Sequence, residues 1–385
     1  MTLKSNLSRT VTVGSRRIGY GEPIFLTAEI GSAHLGSVEN AKKLIKAAAD
    51  AGCDGADIFM SFADEFYYCS VMPNTDDIKK VVRELEFSRD QWKELFDYAD
   101  SCGIILYPTP LDYPSIELCR ELKVKMININ SDDANNPLLL KRAATLGVPI
   151  TMHDINMSIS EMTLAVRTLH DCGVQDIILL HSTMESGEIE TLYATANLEV
   201  INTYKQLFGG SGVLAGCVEH TTSDFLIYAV AAMKPALISK HIQLSHDNPH
   251  DTEISVDVTS LNSMVQKVRF VEMSLGNGFV QELVDKDGNF NPNHGARRKV
   301  LVAVRDIPAG KVIEEADLAA KRPGHLGGMA PGEYIHFVGA TAKQTILRDT
   351  VMNFDLVEHV QSAPYKYPGL DRFRIGRDLK DFRGA

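Results

Sequence analysis

The chain has 385 residues, of which 44% are hydrophobic, and a formal net charge of -11; these values predict a globular protein with one large and one small domain. The negative charge and the lack of a basic stripe exclude a nucleic-acid surface, because phosphate contacts need clustered Lys and Arg. The six cysteines have no CxxC spacing, and no stretch reaches the roughly 18 apolar residues of a membrane span. We therefore expect buried, reduced thiols, no membrane partner and a cytoplasmic location.

The first predicted element is a β-hairpin within residues 1–22. Apolar and polar residues alternate from Thr10 to Tyr20 around Gly14 and Ser15, which is typical of two short antiparallel strands. From residue 23 to residue 280, eight apolar runs alternate with helix-like segments; the runs are 24–30, 55–60, 103–107, 126–129, 149–152, 176–180, 213–218 and 237–241. Helices are predicted at 38–51, 88–101, 136–144, 158–172, 191–207 and 222–233. Eight such units in about 250 residues favour an α/β fold of the (β/α)8 TIM-barrel type over an open doubly wound sheet.

The composition changes after the barrel. Residues 281–297 are polar and rich in glycine, which predicts a linker. Strand-like segments at 298–305, 311–313 and 334–338, separated by Pro and Gly, predict a small β domain over residues 298–358. The tail, residues 359–385, has no periodicity, so we expect it to be disordered or to lie on a partner.

Two histidines, His220 and His241, end the seventh and eighth apolar runs. In a barrel of parallel strands the carboxyl ends surround the mouth, where such folds carry their chemistry. Neutral imidazole is the commonest metal ligand in proteins, so the pair predicts a divalent metal site. The alternative is that each ring makes its hydrogen bonds within the core.

Several motifs together carry a resemblance to a known family. They are AEIGSAHLG at 28–36, YPTPLD at 107–112, PLL at 137–139, LHST at 180–183, EH at 219–220, KH at 240–241 and KRPG at 321–324. In this order and spacing the chain resembles the sialic acid (N-acetylneuraminate) synthase family, which pairs a TIM barrel with a small β-rich antifreeze-like (SAF, β-clip) domain. The resemblance implies condensation of phosphoenolpyruvate with the aldehyde of an N-acetylated amino sugar, with a divalent metal such as Mn, Mg, Zn or Fe.

The resemblance also implies roles for individual residues. His220 and His241 match the metal ligands, and Glu29 matches a glutamate that handles a proton or a substrate hydroxyl. Asp251 matches an aspartate that contacts the sugar. Arg322 matches an arginine of the SAF domain that reaches the partner's barrel, which implies a domain-exchanged homodimer. Further substrate-binding residues are predicted at His34, Thr109, Ser131, Asp133, His181 and Lys240.

The sequence departs from the family pattern where the family holds phosphoenolpyruvate. Two lysine positions read Asp57 and Asn128, two serine positions read His153 and Val218, and an asparagine position reads Met184. Replacing Lys by Asp at a phosphate contact exchanges attraction for repulsion, and each is worth roughly 4 kcal/mol at about 4 Å with an effective dielectric near 20. We therefore expect that phosphoenolpyruvate is not held in the family's way.

The replacements suggest what the mouth does instead. The barrel mouth would be surrounded by four carboxylates and one imidazole, from Glu29, Asp57, Asp154, Glu219 and His153. We therefore predict catalytic roles for Glu29, Asp57, His153 and Glu219. Asp57 or His153 could complete an altered metal site, could perform acid–base work, or could pair with each other. The predicted function is metal-dependent, aldol-type carbon–carbon bond formation on a sugar or amino-sugar aldehyde, and the altered phosphoenolpyruvate site leaves the donor open. The alternatives are a lyase or epimerase acting on a sugar-derived keto acid, or a non-catalytic sugar-binding protein.

Overall fold

The computed structural model describes residues 9–66, 75–183, 189–221, 225–246, 251–276, 298–322 and 329–360. The chain divides into two compact units, Met1–Gly278 and Phe279–Ala385. The predicted linker 281–297 and residues 361–385 of the predicted tail lie outside the described residues. Each unit has a hydrophobic core of its own.

The first unit opens with an antiparallel hairpin of β1 (Thr10–Val13) and β2 (Arg16–Gly19), with Val11 opposite Ile18. The apolar side chains of the hairpin pack against the residues that begin several barrel strands, among them Phe25 and Leu237. The hairpin therefore closes the amino-terminal end of the barrel with apolar contacts. The opposite end, where the strands finish, is left for chemistry.

Eight parallel strands form the barrel, as predicted. They are β3 (Phe25–Gly31), β4 (Gly55–Met60), β5 (Ile105–Pro110), β6 (Ile127–Ile129), β7 (Ile150–His153), β8 (Ile177–Ser182), β9 (Leu214–Glu219) and β10 (Leu237–Gln243). The hydrogen-bonded order is β5-β4-β3-β10-β9-β8-β7-β6, and no backbone ladder joins β5 to β6. A further short strand, β11 (Val256–Asp257), pairs with β10. The barrel is thus nearly closed, with one seam.

Twelve helices lie in the described part of this unit. They are α1 (Val38–Ala51), α2 (Ala63–Phe66), α3 (Thr75–Leu85), α4 (Arg89–Cys102), α5 (Tyr113–Leu122), α6 (Ser131–Ala134), α7 (Pro137–Ala144), α8 (Ile159–Asp171), α9 (Ile189–Thr195), α10 (Val200–Phe208), α11 (Phe225–Ala232) and α12 (Val258–Leu275). Serine caps explain where three of them begin, because Ser37, Ser88 and Ser158 accept hydrogen bonds from backbone amides of the first turn. None of the helices in these described ranges is long and apolar enough to cross a membrane.

The single helix predicted over 191–207 is wrong, because the structure breaks it into α9 and α10. The break has a local cause: the carbonyl of Ala196 is 2.8 Å from Nε2 of His181 and accepts its hydrogen bond, while Asn197 adopts a left-handed conformation with φ 42°. A second expectation also fails, since Cys172 is exposed at the end of α8, whereas Cys119 and Cys217 are buried.

Side chains of each barrel strand alternate between two apolar layers. In β10, Leu237 packs in the barrel interior and Ile238 packs between the sheet and the helices. The same alternation holds in β8, where Leu180 is inside and Leu179 is outside. The period of two therefore decides which polar residues at the strand ends can enter the mouth.

The second unit is a small β structure with its own core. Strand β12 (Val300–Ala303) pairs with β13 (Leu318–Lys321), and β14 (Thr341–Ala342) pairs with β15 (Val357–Glu358). The strand predicted at 334–338 is wrong: a 3-10 helix at Pro331–His336 begins with a proline, which suits a first helical turn. That turn delivers Phe337, which is fully buried, to the core.

Candidate active site

Polar side chains replace apolar ones at the carboxyl end of the barrel interior. The inward positions of β3, β4, β7 and β10 carry Glu29, Asp57, His153 and His241, all of which are buried. Register explains why they meet, because Glu29 lies opposite both His241 and Asp57 in the parallel ladders. His220 follows directly after β9 and is also buried.

Glu29, His220 and His241 form one group of candidate metal ligands, and one ligand atom from each lies within 4.8 Å of the others. Oε1 of Glu29 is 3.2 Å from Nε2 of His241, and the two imidazole centroids are 5.1 Å apart. Nδ1 of His220 donates to the carbonyl of Thr183 over 3.0 Å. This contact leaves the lone pair of His220 on Nε2, as a metal ligand requires.

The electrostatics of this group suit a cation. Burial, and then the charge of His241, lower the pKa of His220 to about 3, so its ring is neutral. Burial lowers the pKa of His241, but the nearby Glu29 carboxylate outweighs burial and raises it. Burial likewise raises the pKa of Glu29, but the charge of His241 and its hydrogen bond to Glu29, followed by the charge of His153, outweigh burial and lower the pKa. A carboxylate with two imidazoles is a donor set that fits Zn, Mn or Fe.

Glu29 also belongs to a second group of candidate ligands, with Asp57 and His153. Asp57 accepts hydrogen bonds from the hydroxyl of Thr109 at 2.8 Å and from the amide of Asn128 at 2.9 Å. The same amide nitrogen is 3.0 Å from Nε2 of His153. Asn128 therefore lies between Asp57 and His153 and holds both of them in place. Burial, followed by the charge of Glu29, raises the pKa of Asp57 well above its usual range, and burial lowers the pKa of His153.

Two residues expected in the mouth, Glu219 and Asp154, point away from it. Glu219 pairs with Lys240 on the neighbouring strand, with 2.6 Å between Oε2 and Nζ, and both are buried between the sheet and the helices. Asp154 accepts from His181 at 2.9 Å and from the hydroxyl of Tyr204 at 2.6 Å. The cause is the strand alternation, because successive side chains point to opposite faces of the sheet. Glu219, Lys240 and His181 are each adjacent in sequence to an inward residue and therefore point outward. The predicted catalytic role of Glu219 and substrate contacts of Lys240 and His181 do not agree with these positions.

The remaining predicted residues lie at the rim or elsewhere. Oδ2 of Asp251 accepts from the hydroxyl of Ser32 at 3.1 Å, and Gly31, with φ 50°, passes close to both Asp251 and His241. Nδ1 of His34 accepts from a backbone amide of its own loop at 3.0 Å, which is an anchoring contact. Ser131 and Asp133 are held by the neighbouring residues Asn130 and Asn136. Arg322 is exposed in the second unit.

Sequence reasoning missed Ser239 and gave no role to Asn128, although it noted that Asn128 stands at a lysine position of the family. Ser239 donates to Oε2 of Glu29 at 2.8 Å, and Asn128 makes the contacts given above. Both are inward residues of barrel strands, two positions from another inward side chain. Ser239 could have been found from the sequence, because it lies two positions before His241 in the same apolar run and so shares its inward face.

The inward positions that the structure describes carry no Lys or Arg. The stretches of the carboxyl-end loops outside the described residues, 67–74, 184–188, 222–224 and 247–250, contain none in the sequence. The mouth therefore has no fixed cationic side chain on these segments to hold a phosphate group.

Comparisons with known proteins agree with the fold and the resemblance. A model of the NeuB family matches residues 44–279, and a model of the SAF domain matches residues 298–358. An uncharacterized protein of Methanocaldococcus jannaschii is 30% identical over 315 residues, which cover 82% of this chain and 89% of that protein. An N,N'-diacetyllegionaminic acid synthase of Campylobacter jejuni is 28% identical over 340 residues, covering 85% of this chain and 98% of the synthase.

A solved structure adds to this agreement. The N-acetylneuraminic acid (sialic acid) synthetase of Leptospira borgpetersenii, in complex with citrate, is 25% identical, with a TM-score of 0.65. The match covers 73% of this chain and 94% of that one. The chain therefore belongs to the NeuB family, the sialic acid synthase family that its motifs indicated, and it carries a SAF domain.

Proposed function

We propose that the protein catalyses an aldol-type carbon–carbon bond formation on a sugar or amino-sugar aldehyde, with a divalent cation held by Glu29, His220 and His241. The observation that carries the proposal is the close, buried group of these three side chains in the mouth of a NeuB-family barrel. Such a cation, when bound, supplies a Lewis acid that polarises an oxygen on which negative charge develops.

The protein's own residues would orient the reactants and exclude water. Ser239 and His241 fix the two oxygens of Glu29. Asp251 at the rim is the residue proposed to contact the sugar hydroxyls, as the family resemblance implies. Burial raises the pKa of Asp57, so without a cation beside it this carboxyl holds its proton more tightly, and in its protonated form it can donate a hydrogen bond to a carbonyl oxygen of the donor.

The donor proposed here is an enolisable keto acid such as pyruvate, and not phosphoenolpyruvate. The support is the exchange of cationic positions for Asp57 and Asn128, together with the lack of Lys and Arg at the described inward positions. A loss of roughly 4 kcal/mol of attraction corresponds to about 10³-fold in rate or affinity.

The test uses the purified full chain with Mn²⁺, N-acetylmannosamine and either pyruvate or phosphoenolpyruvate, and it follows the condensed acid by mass. We expect product from the keto acid and at least about 10²-fold less from phosphoenolpyruvate. His220→Gln should abolish product, while Asp132→Asn, which changes an exposed carboxylate on the same face, should not. Phosphate release from phosphoenolpyruvate at a comparable rate would contradict the donor assignment, and no product from any donor would favour a non-catalytic sugar-binding protein.

A lyase or epimerase acting on a sugar-derived keto acid is the second candidate. The observation that favours it is the position of Asp57 and His153 beside Glu29, because two neighbouring titratable groups can exchange a proton with an enolisable carbon. Nδ1 of His153 makes no hydrogen bond with a described residue and is the atom that would carry the proton. Uptake of solvent deuterium by a keto acid in the absence of an aldehyde, lost in His153→Gln, would support this candidate.

We also propose a domain-exchanged homodimer in which Arg322 serves the barrel of the partner chain. The support is the SAF match and the exposure of Arg322, together with the family resemblance. Mixing inactive Arg322→Ala with inactive His220→Gln should restore about a quarter of the wild-type activity, because only one site of each mixed dimer is intact. A monomer in sedimentation, or no recovery on mixing, would contradict the exchange.

A further inference from the structure

Glu29 is shared by the two groups of candidate ligands. It lies with His220 and His241 in one group and with Asp57 and His153 in the other, and all five side chains are buried. We propose that the mouth holds a second divalent cation, bound by Asp57 and His153 and bridged through Glu29 to the cation of His220 and His241. The inference takes the first cation from the proposed function and adds a site that the two-histidine resemblance does not supply.

The carboxylate of Glu29 has the geometry that a bridge requires. Oε1 is 3.2 Å from the ring of His241, while Oε2 accepts one hydrogen bond, from Ser239 at 2.8 Å. Each carboxylate oxygen has two lone pairs, so Oε2 keeps capacity for another partner. Glu29 lies opposite Asp57 in the ladder of β3 and β4, so its carboxylate is next to the second group of ligands.

The second group offers its own free atoms. Asp57 accepts from Thr109 through Oδ1 and from Asn128 through Oδ2, and its carboxylate, with about four lone-pair sites, keeps capacity for a cation. His153 contacts Asn128 through Nε2, so the lone pair of its neutral ring lies on Nε2. The amide nitrogen of Asn128 has two hydrogens and three partners, Asp57, Thr109 and His153, so Nε2 of His153 can exchange this contact for a cation. On the neighbouring strand β8, Leu180 lies opposite His153, and the hydroxyl of Ser182, two positions further, is buried without a hydrogen-bond partner among the described residues.

Charge supports the same conclusion. Two carboxylates, Glu29 and Asp57, are buried side by side, and no Lys or Arg occupies a described inward position. Buried carboxylates need a partner of opposite charge, because the barrel interior cannot replace their hydration. His241 is the partner of opposite charge for Glu29. A cation between Asp57 and His153 would be the corresponding partner for Asp57.

The donor atoms indicate the kind of cation. A site of carboxylate oxygens and imidazole nitrogen suits Mn²⁺, Fe²⁺ or Zn²⁺, whereas Mg²⁺ and Ca²⁺ prefer oxygen ligands alone. A cation in this position would also give an anionic or carbonyl oxygen of a keto acid the positive partner that the described inward side chains do not provide.

The experiment counts Mn²⁺ on the full chain. Chelated protein is dialysed against Mn²⁺, bound metal is measured by mass spectrometry, and the spin coupling is recorded by electron paramagnetic resonance. We expect two ions per chain at saturation with a spin-coupled spectrum, because a shared carboxylate links the ions. Asp57→Asn and His153→Gln should bind one ion each and show an uncoupled signal.

The controls separate this proposal from the proposed function. Asp132→Asn should still bind two ions, and circular dichroism should show that each variant is folded. One ion per wild-type chain, unchanged in Asp57→Asn but lost in His220→Gln, would overturn the second site and leave the first intact. Binding that is unchanged in His220→Gln but lost in Asp57→Asn would overturn the bridged pair and the metal assignment of the proposed function together.

Discussion

Asp57 is a carboxyl group in the barrel interior whose ionisation is opposed by burial and by the negative charge of Glu29. Its hydrogen bonds from Thr109 and Asn128 offset part of this cost. In the metal-free protein the residue is therefore a local source of instability, which is common where a carboxyl group belongs to a functional site.

The first prediction concerns Asp57→Asn in metal-free protein. The folded pKa of Asp57 lies above the unfolded value of 3.8, so the folded state holds this proton more tightly and loses stability as the pH rises above that unfolded value. At pH 8 we expect Asp57→Asn to be more stable than wild type by about 1–3 kcal/mol, with the difference disappearing toward pH 4. Urea denaturation at several pH values measures this, and Asp132→Asn should change stability by less than about 0.5 kcal/mol. A less stable Asp57→Asn at pH 8 without metal would contradict the prediction.

The second prediction concerns His181, which binds Asp154. Burial lowers the pKa of His181, but its hydrogen bond and charge interaction with Asp154 outweigh burial and raise it. The stabilisation is thus fully present below the unfolded pKa near 6.5 and is lost as the pH rises through the folded pKa. We expect His181→Gln to cost about 1–2 kcal/mol at pH 6 and less at pH 9. As a control, Tyr204→Phe, which removes another hydrogen bond to Asp154, should lower the free energy of unfolding by the same amount at both pH values. If His181→Gln also lowers it equally at both, the stabilisation by the contact of His181 with Asp154 does not depend on the protonation of His181.

Part of the site follows from the sequence, and part does not. His220, His241 and Glu29 were predicted together and do lie together. Glu219 was wrongly placed beside them, because adjacency to His220 in the sequence was given more weight than the strand period of two. Whether Asn128 or a direct contact joins Asp57 to His153 depends on side-chain rotamers, which no sequence pattern specifies.

At the scale of elements, β9 and β10 are joined by a buried ion pair as well as by their backbone ladder. Glu219 lies opposite Lys240 in the register of these strands, and the hydroxyl of Thr221 donates to the same carboxylate. Both charges are out of water, so each depends on the other.

The third prediction concerns this pair. Lys240→Met leaves Glu219 buried without its cation, and we expect a loss of about 3–5 kcal/mol in the free energy of unfolding. The double variant Lys240→Met with Glu219→Gln should lose less than Lys240→Met alone, because the uncompensated charge is removed. A double-mutant cycle by denaturant unfolding measures the coupling. Additive losses would show that the two side chains do not stabilise each other.

The elements themselves were predictable to different degrees. Each of the eight barrel strands was found because a fully buried parallel strand reads as a continuous apolar run. The break between α9 and α10 was missed because it is caused by His181, which lies in a different part of the chain. In the second unit, β13 was missed because Leu318–Lys321 has no β-branched or aromatic residue.

At the scale of the whole molecule, the two compact units have separate cores, and only the first contains the candidate metal ligands among the residues that the structure describes. The fourth prediction is that Mn²⁺ raises one calorimetric transition and leaves the other unchanged. A cation at a hundredfold of its dissociation constant adds about 2.7 kcal/mol to the state that binds it. The shift should be smaller in His220→Gln. Equal shifts of both transitions would contradict the assignment of the metal to the first unit.

The seam between β5 and β6 has a consequence for how the barrel opens. Since no backbone ladder crosses it, the wall is held there by side chains, including the 2.9 Å hydrogen bond from Asn128 to Thr109. Asp57 on β4 and His153 on β7 lie on opposite sides of this slit. A cation bound by both residues would hold the β4–β5 edge and the β6–β7 edge together. Amide hydrogens of β5 and β6 should therefore exchange with deuterated solvent faster in chelated protein and more slowly after the cation is added back.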